Sequence, residues 1–102
     1  MEFTYSPREA STTIALTATS TVAVIPNMST SYKGYDRGFF TFETAPVRLG
    51  FGGLVPTAAN GHKLDQGDTL TVEGWVELSR MKYIRQGATN GKIWLTMEKP
   101  QG

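Results

Sequence analysis

The 102-residue chain contains no cysteine, one histidine, five prolines and no long hydrophobic run. The missing thiols exclude disulfides, cysteine zinc sites and a thiol nucleophile, and a single histidine cannot complete a His-rich metal site. The chain also has almost no excess of charge of either sign, because ten basic and nine acidic side chains give a formal net charge of +1. Bulk charge therefore does not favour binding to a polyanion, and no cofactor is predicted.

Threonine and glycine, in contrast, are abundant, with 14 and 11 residues. A β-branched polar residue combined with frequent turn formers is typical of strands and not of helices. The length suits one domain. We therefore expect an all-β protein with an extended N-terminal arm over residues 1–11 and a single antiparallel β-sandwich domain over residues 12–102. A jelly roll is among the topologies that fit this pattern.

Alternating apolar residues predict seven or eight short strands and no helix longer than a turn or two. The strand segments are 12–18, 22–24, 39–44, 47–51, 70–73, 75–86 and 93–98. Asn90-Gly91 is the strongest hairpin signal, since both residues tolerate the positive φ of a type I′ turn. Residues 27–38 and 54–68 are rich in turn-forming residues and predict two long loops, the first with Tyr32 and Tyr35 in exposed positions.

The chain shows no complete catalytic or metal site, so no enzymatic activity is predicted. His62 lies in a Gly-rich turn without a second histidine, which indicates a solvated loop side chain. Asp65 and Asp68 could offer oxygen ligands to calcium, but the EF-hand series is incomplete and capping of a turn is the favoured interpretation. Four other carboxylates could in principle supply the pair that glycoside hydrolysis needs; they are Glu43, Glu73, Glu77 and Glu98.

Two of these carboxylates, Glu73 and Glu98, alternate with apolar residues along their strands. In a sandwich such positions face solvent, which favours a structural interpretation over a catalytic one.

Basic and aromatic residues are interleaved between positions 80 and 85. Arg80, Lys82 and Arg85 surround Tyr83, an arrangement that single-stranded nucleic-acid-binding barrels use for phosphate contact and base stacking. Phosphate binding usually shows as an excess of positive charge, which this chain lacks. A nucleic-acid-binding barrel is therefore kept as an alternative and nucleic acid is not the expected partner.

Aromatic and arginine residues in loops and on outer faces also suit protein interfaces. Trp94 is informative because its neighbours Ile93 and Leu95 belong to the core face, which leaves the indole either on an exposed outer face or under a second layer of the same domain. A carbohydrate-binding surface that uses Trp75 or Trp94 and the loop tyrosines as stacking platforms is a third alternative. The candidate interface residues are Phe3, Tyr5, Tyr32, Lys33, Tyr35, Arg37 and Trp94.

Four segments follow one another in a characteristic order. A Thr-rich opening strand occupies 11–16, the stretch APVRLGFGG occupies 45–53, a small-residue loop runs through Asn60-Gly61, and LDQGDTLTV occupies 64–72. In this order, over residues 11–99, the chain resembles the small all-β virion proteins of tailed bacteriophages.

The resemblance implies a structural virion protein that binds and stabilises the capsid exterior as a decoration or cement protein. It also implies a major capsid protein or another virion protein as partner, and a homo-oligomer, with a trimer favoured. A tail or head-tail accessory protein is the alternative within this family. Residues 1–11 and 27–38 are expected to make the inter-subunit contacts. The first residues lack the regions of a signal peptide and no membrane segment is predicted, so we expect synthesis in the host cytoplasm and residence on the virion surface.

Overall fold

The computed structural model describes residues 10–99, with side chains from Thr12 onward. Within this range the chain forms eight strands and one short helix, and the expected all-β sandwich is confirmed. The elements in chain order are β1 (Ala10–Ala18), β2 (Ala23–Val24), β3 (Arg37–Glu43), β4 (Val47–Gly50), β5 (His62–Leu64), β6 (Thr69–Glu73), α1 (Trp75–Arg80), β7 (Lys82–Arg85) and β8 (Gly91–Lys99).

The strands form two four-stranded sheets. Sheet A has the order β1-β8-β3-β6 and sheet B the order β2-β7-β4-β5, and neighbouring strands are antiparallel throughout. The chain passes from one sheet to the other at every connection except the hairpin between β4 and β5. This connectivity is that of a jelly roll.

The core lies between the sheets and follows the two-residue period of the strands. In β3, Phe40 and Phe42 point inward, and their rings stack with centroids 6.3 Å apart. In the central strand β8, every second residue from Ile93 is buried, and β4 contributes Val47 and Leu49 from the opposite sheet. Two interleaved sets of apolar side chains therefore fill the sandwich.

Residues 75–86 are not one strand, and the prediction is wrong for their first half. Trp75–Arg80 form α1, which begins after Gly74 at a φ of 105°, a conformation that favours glycine. Leu78 of α1 is fully buried above β3, where a Cβ on Gly38 would lie 2.8 Å from its Cδ2. A helix of six residues has little stability of its own, so this tertiary contact overrides the local β propensity.

The predicted hairpin at Asn90-Gly91 is also wrong. The strands on either side, β7 and β8, belong to different sheets and do not pair. Neither residue has a positive φ. Gly91 is instead required by close packing, because a Cβ there would lie 2.7 Å from Val47 Cγ2 and 2.9 Å from the Ala45 carbonyl oxygen.

Several element boundaries differ from the predicted ones. β1 begins at Ala10 and so includes two residues assigned to the arm, whose residues 1–9 lie outside the described part of the chain. β3 begins at Arg37, which shortens the loop expected over 27–38. β5 lies inside the loop expected over 54–68; its three residues are too few and too exposed to show an alternation.

From residue 10 to residue 99, no helix has the length and apolar character needed to cross a membrane.

Candidate interaction surfaces

The outer face of sheet A has no charged residue at its centre. Strand pairing places eight outward-facing residues in two adjacent rows across β1, β8, β3 and β6. Two aromatic rings stand there among five threonines and one alanine. We call this surface the threonine face; its rows are Thr13, Thr96, Phe39 and Thr71, and Ala15, Trp94, Thr41 and Thr69.

Trp94 lies near the middle of the threonine face and is 37% exposed. Its indole points outward, and the exposure shows that no second layer formed by residues 10–99 covers it. Its register partners are Ala15 and Thr41, both small. Lys92 Nζ lies 4.5 Å from the ring centroid, within the range of a cation–π contact. The indole is therefore held in place and still accessible.

A charged row borders the threonine face at one end. Arg37 lies opposite Glu98 of β8 on one side and Glu73 of β6 on the other. Its Nε is 3.5 Å from Glu98 Oε1. Glu98 points to the outer face yet is only 5% exposed, and its Oε2 is buried without a hydrogen-bond partner. The expectation of a solvent-facing Glu98 is therefore wrong in exposure, although correct in direction.

The two loop tyrosines are half-buried and pack against the core, so the expected exposed positions are not observed. The rings of Tyr32 and Tyr35 meet edge to face with centroids 6.0 Å apart, and Lys99 Nζ lies 5.6 Å from the Tyr35 ring. Asn27, at a φ of 62°, accepts backbone hydrogen bonds from Thr30 and Tyr32. The tyrosines thus support the loop from within, and burial of this kind depends on neighbours that the loop sequence does not reveal.

The remaining interface candidates are dispersed. Lys33 is exposed in the turn between Tyr32 and Tyr35, and Arg37 is half-buried in its ion pair. Phe3 and Tyr5 lie outside the described residues.

The four residues proposed for a nucleic-acid face do not share one surface. Tyr83 is 4% exposed and faces the core, and burial raises the pKa of its hydroxyl above the ordinary value of 10.0. Lys82 points to the outer face of sheet B, and Arg80 is exposed at the end of α1. Arg85 is half-buried and donates a hydrogen bond of 2.8 Å to Asn90 Oδ1. The stacking ring is thus separated from the basic groups around it in sequence.

Trp75 is also withdrawn from the surface that a carbohydrate platform would need. Its Nε1 donates a hydrogen bond to the Met28 carbonyl oxygen at 3.1 Å, and its half-buried ring packs against the core.

Sheet B carries a basic outer face that the sequence did not indicate. Arg48 lies opposite Lys63 of β5, and Lys82 of β7 lies opposite Gly50, two residues from Arg48. Arg48 donates to the Gly61 carbonyl oxygen at 3.0 Å, while its buried Nε has no partner. These cations belong to three separate strands, so only strand pairing brings them together.

The loop residues considered as metal ligands or catalytic groups, Asp65, Asp68 and His62, lie in local structural contacts instead. Asp68 Oδ2 accepts a hydrogen bond from the Asp65 amide at 2.7 Å, which confirms capping of the turn. His62 is exposed, with its ring centroid 5.7 Å from that of Phe51. Among the residues that the structure describes, no three His, Asp or Glu side chains are grouped so that they could hold a metal ion. Glu43 and Glu73 lie on the outer face of sheet A, and Glu77 lies on α1.

No protein family and no curated protein matches the chain. Among solved structures, the fold is similar to a chain of the Bacillus endospore appendages, which form a novel family of disulfide-linked pili. The two share 18% sequence identity over 100% of both chains, with a TM-score of 0.48. A likeness at this level does not indicate a function for this chain.

Proposed function

We propose that the chain is a non-catalytic structural protein that serves as a repeated building block on the outside of a larger particle. The exposed indole of Trp94 on the threonine face carries this proposal. A tryptophan offers a large apolar contact at a low cost in conformational entropy, and its small neighbours allow a flat partner surface to approach closely. An exposed large ring among small polar side chains is typical of the anchor of a protein interface.

The sandwich gives this anchor a rigid support. Trp94 belongs to β8, a central strand that pairs along its whole length with β1 and over seven residues with β3. The inward side chains on either side of it, Ile93 and Leu95, are fully buried in the core. A side chain held in this way loses little conformational freedom when it docks.

When many copies dock on a repeating lattice, modest contacts add up, and avidity exceeds a single affinity by roughly 10²–10⁴-fold.

The particle that we propose is the head of a tailed bacteriophage, with the chain bound to the exterior of the major capsid protein as a decoration or cement protein. The order of segments over residues 11–99 supports this setting through its resemblance to small virion proteins. The jelly-roll sandwich is a fold used by viral capsid proteins and is compatible with the same setting. A tail or head-tail position is the alternative location of the same kind of subunit.

The test is to purify virus particles from the organism that encodes the chain. The chain should sediment with the heads at a fixed ratio to the major capsid protein, and electron cryomicroscopy should place it on the outer surface. Density on the tail would select the alternative location. Recovery of the chain only in fractions without particles would contradict the proposal.

The contribution of the arm is tested by deleting residues 1–9, which leaves β1 intact. The truncated chain should keep its melting temperature and lose its place on heads that lack the full-length protein. A truncated chain that fills every site would exclude the arm as the attachment point without affecting the building-block proposal.

A further inference from the structure

Strand β1 forms one edge of sheet A and pairs with β8 on one side only. Among residues 10–99, no strand pairs with its other side. β1 is nine residues long and its sequence, ASTTIALTA, contains no charged residue and no proline. An edge strand of this length presents a row of unpaired N–H and C=O groups that can accept another strand.

The other three edge strands differ from β1 in length or charge. β2 has two residues, and β5 has three, including Lys63. β6 has five and ends in Glu73. Short length and charged side chains are the usual means by which proteins prevent edge-to-edge pairing. Only β1, of the four edges in the described structure, has neither protection.

We propose that β1 pairs antiparallel with β1 of a second copy of the chain, about a twofold axis at Ile14. Full overlap of Ala10–Ala18 with its copy fixes the axis at this central residue. Each position then faces a position of the same parity, so core-side residues meet core-side residues and outer residues meet outer residues. The two copies of sheet A become one continuous sheet of eight strands, and the two threonine faces lie on the same side.

The side chains on β1 suit this pairing. Ile14 is half-buried at the margin of the core, and at the axis it meets its own copy, which removes further apolar surface from water. On the outer side, Thr13 lies opposite Ala15 of the second copy, and two small residues avoid a clash. Because the strand is uncharged, no like charges face each other.

The antiparallel direction keeps like charges of the flanking strand out of one row. Ser11 lies opposite Glu98, and Thr17 lies opposite Lys92. In the dimer, Ser11 faces Thr17 of the second copy, so one row contains Glu98 of one copy and Lys92 of the other. They are three strand spacings apart, about 14 Å. A parallel, in-register pairing would place Glu98 in one row with its own copy.

Ala10 lies opposite Ala18 of the second copy. This pairing involves only the edge strand and does not depend on the identity of the particle proposed above.

The association is tested by sedimentation velocity on the full chain over a range of concentrations. The expected species has twice the chain mass of 11.2 kDa. Ala15→Lys places a charge on the outer side of β1 and should weaken association at least tenfold. Thr71→Lys, the matched control, places the same charge on the exposed outer side of the other edge strand of sheet A and should leave the dimer intact. A cooperative thermal unfolding transition in each variant shows that both fold.

Three results would overturn the proposal. A chain that stays single at every concentration up to about 1 mM has no useful self-association. A threefold mass would support the trimer that the family resemblance implies. Equal loss of association in Ala15→Lys and Thr71→Lys would indicate head-to-tail pairing of β1 with β6.

The register is tested by cross-linking, since the chain has no cysteine of its own. Thr13→Cys and Ala15→Cys lie directly opposite each other across the proposed axis, within reach of a disulfide. Mixing the two variants under oxidising conditions should give mainly the mixed dimer, because each variant alone places its thiols diagonally. A yield of mixed dimer no higher than that of either variant alone would exclude an axis at Ile14.

Discussion

Arg37 and Glu98 lie directly opposite each other in β3 and β8, with Arg37 Nε 3.5 Å from Glu98 Oε1. Both side chains point to the outer face of sheet A, but Glu98 is almost completely withdrawn from water. A buried carboxylate depends on its partners, since it has lost the solvation that stabilises its charge. This pair is therefore a determinant of stability as well as the border of the threonine face.

Arg37→Ala should lower the free energy of unfolding by about 2 kcal/mol, because it leaves the Glu98 carboxylate buried without its cation. Lys63→Ala is the matched control. Lys63 Nζ lies 3.4 Å from Asp65 Oδ1, but both side chains are well exposed, and such ion pairs contribute about 0–1 kcal/mol to the free energy of unfolding. Urea denaturation measures both variants. Equal losses would show that burial of Glu98 does not depend on Arg37.

Gly91→Ala should destabilise the protein by about 1–3 kcal/mol, because the new methyl group would meet Val47 and the Ala45 carbonyl group at distances that require a shift. Gly87 is the matched control, since it lies in the same connection, has an ordinary φ and has open space around it. Gly87→Ala should be neutral or stabilise by up to about 1 kcal/mol. Thermal denaturation distinguishes the two, and a tolerated Gly91→Ala would contradict the proposed contact between sheets.

Alkaline pH should destabilise the fold through Tyr83. Because burial raises the pKa of the hydroxyl in the folded state, its contribution is fully present below pH 10. Above pH 10 the unfolded chain releases the proton first, so unfolding becomes progressively more favourable until pH passes the folded-state pKa. Tyr83→Phe cannot titrate and should lose less stability than the wild type between pH 10 and the higher folded-state pKa. If the free energy of unfolding falls equally with pH in the two proteins, Tyr83 is not the cause of the alkaline destabilisation.

Trp94→Ala should reduce docking on the particle at least tenfold and lower the free energy of unfolding by about 1–2 kcal/mol, since the Lys92 contact and the partial burial of the indole are lost. Val76→Ala is the control, because Val76 is an exposed apolar residue on α1, away from the threonine face. Occupancy on heads, quantified by gel densitometry, measures docking. Equal occupancy by wild type and Trp94→Ala would remove the threonine face from the attachment surface.

The strands with clear alternation could be predicted from the sequence because their pattern is local. Phe40 and Phe42 in β3, and Ile93 and Leu95 in β8, alternate with polar or outward residues, and each pair is buried as expected. The same alternation placed Trp94 on the outer face.

The elements that were predicted incorrectly depend on contacts between residues that are distant in sequence. α1 exists because Leu78 fills the space that Gly38 leaves open above β3. Asn90-Gly91 carries a hairpin signal, but the strands that it joins pair with partners in different sheets. Neither the contact of Leu78 nor the pairing of these strands can be inferred from local propensity.

For strand residues the outward direction was predictable, but the exposure of a side chain often was not. Glu98 points outward as its alternation indicates, yet it is buried, and the two loop tyrosines turn toward the core. Whether a side chain is covered depends on the residues packed around it in three dimensions. The basic face of sheet B is an exposed surface that was not predicted, because Arg48 and Lys63 become neighbours only when β4 and β5 pair.

The pairing of Ala10 with Lys99 brings the first and last described residues together at one corner of sheet A. The turn over 86–90 lies at the opposite end of β8, where Gly91 pairs with Ala18. A circular permutant that joins the old ends through a short linker and opens the chain at Gly87 would therefore retain all eight strands. Foreign peptides displayed at Gly87 would emerge at the opposite end of β8 from the Ala10–Lys99 corner.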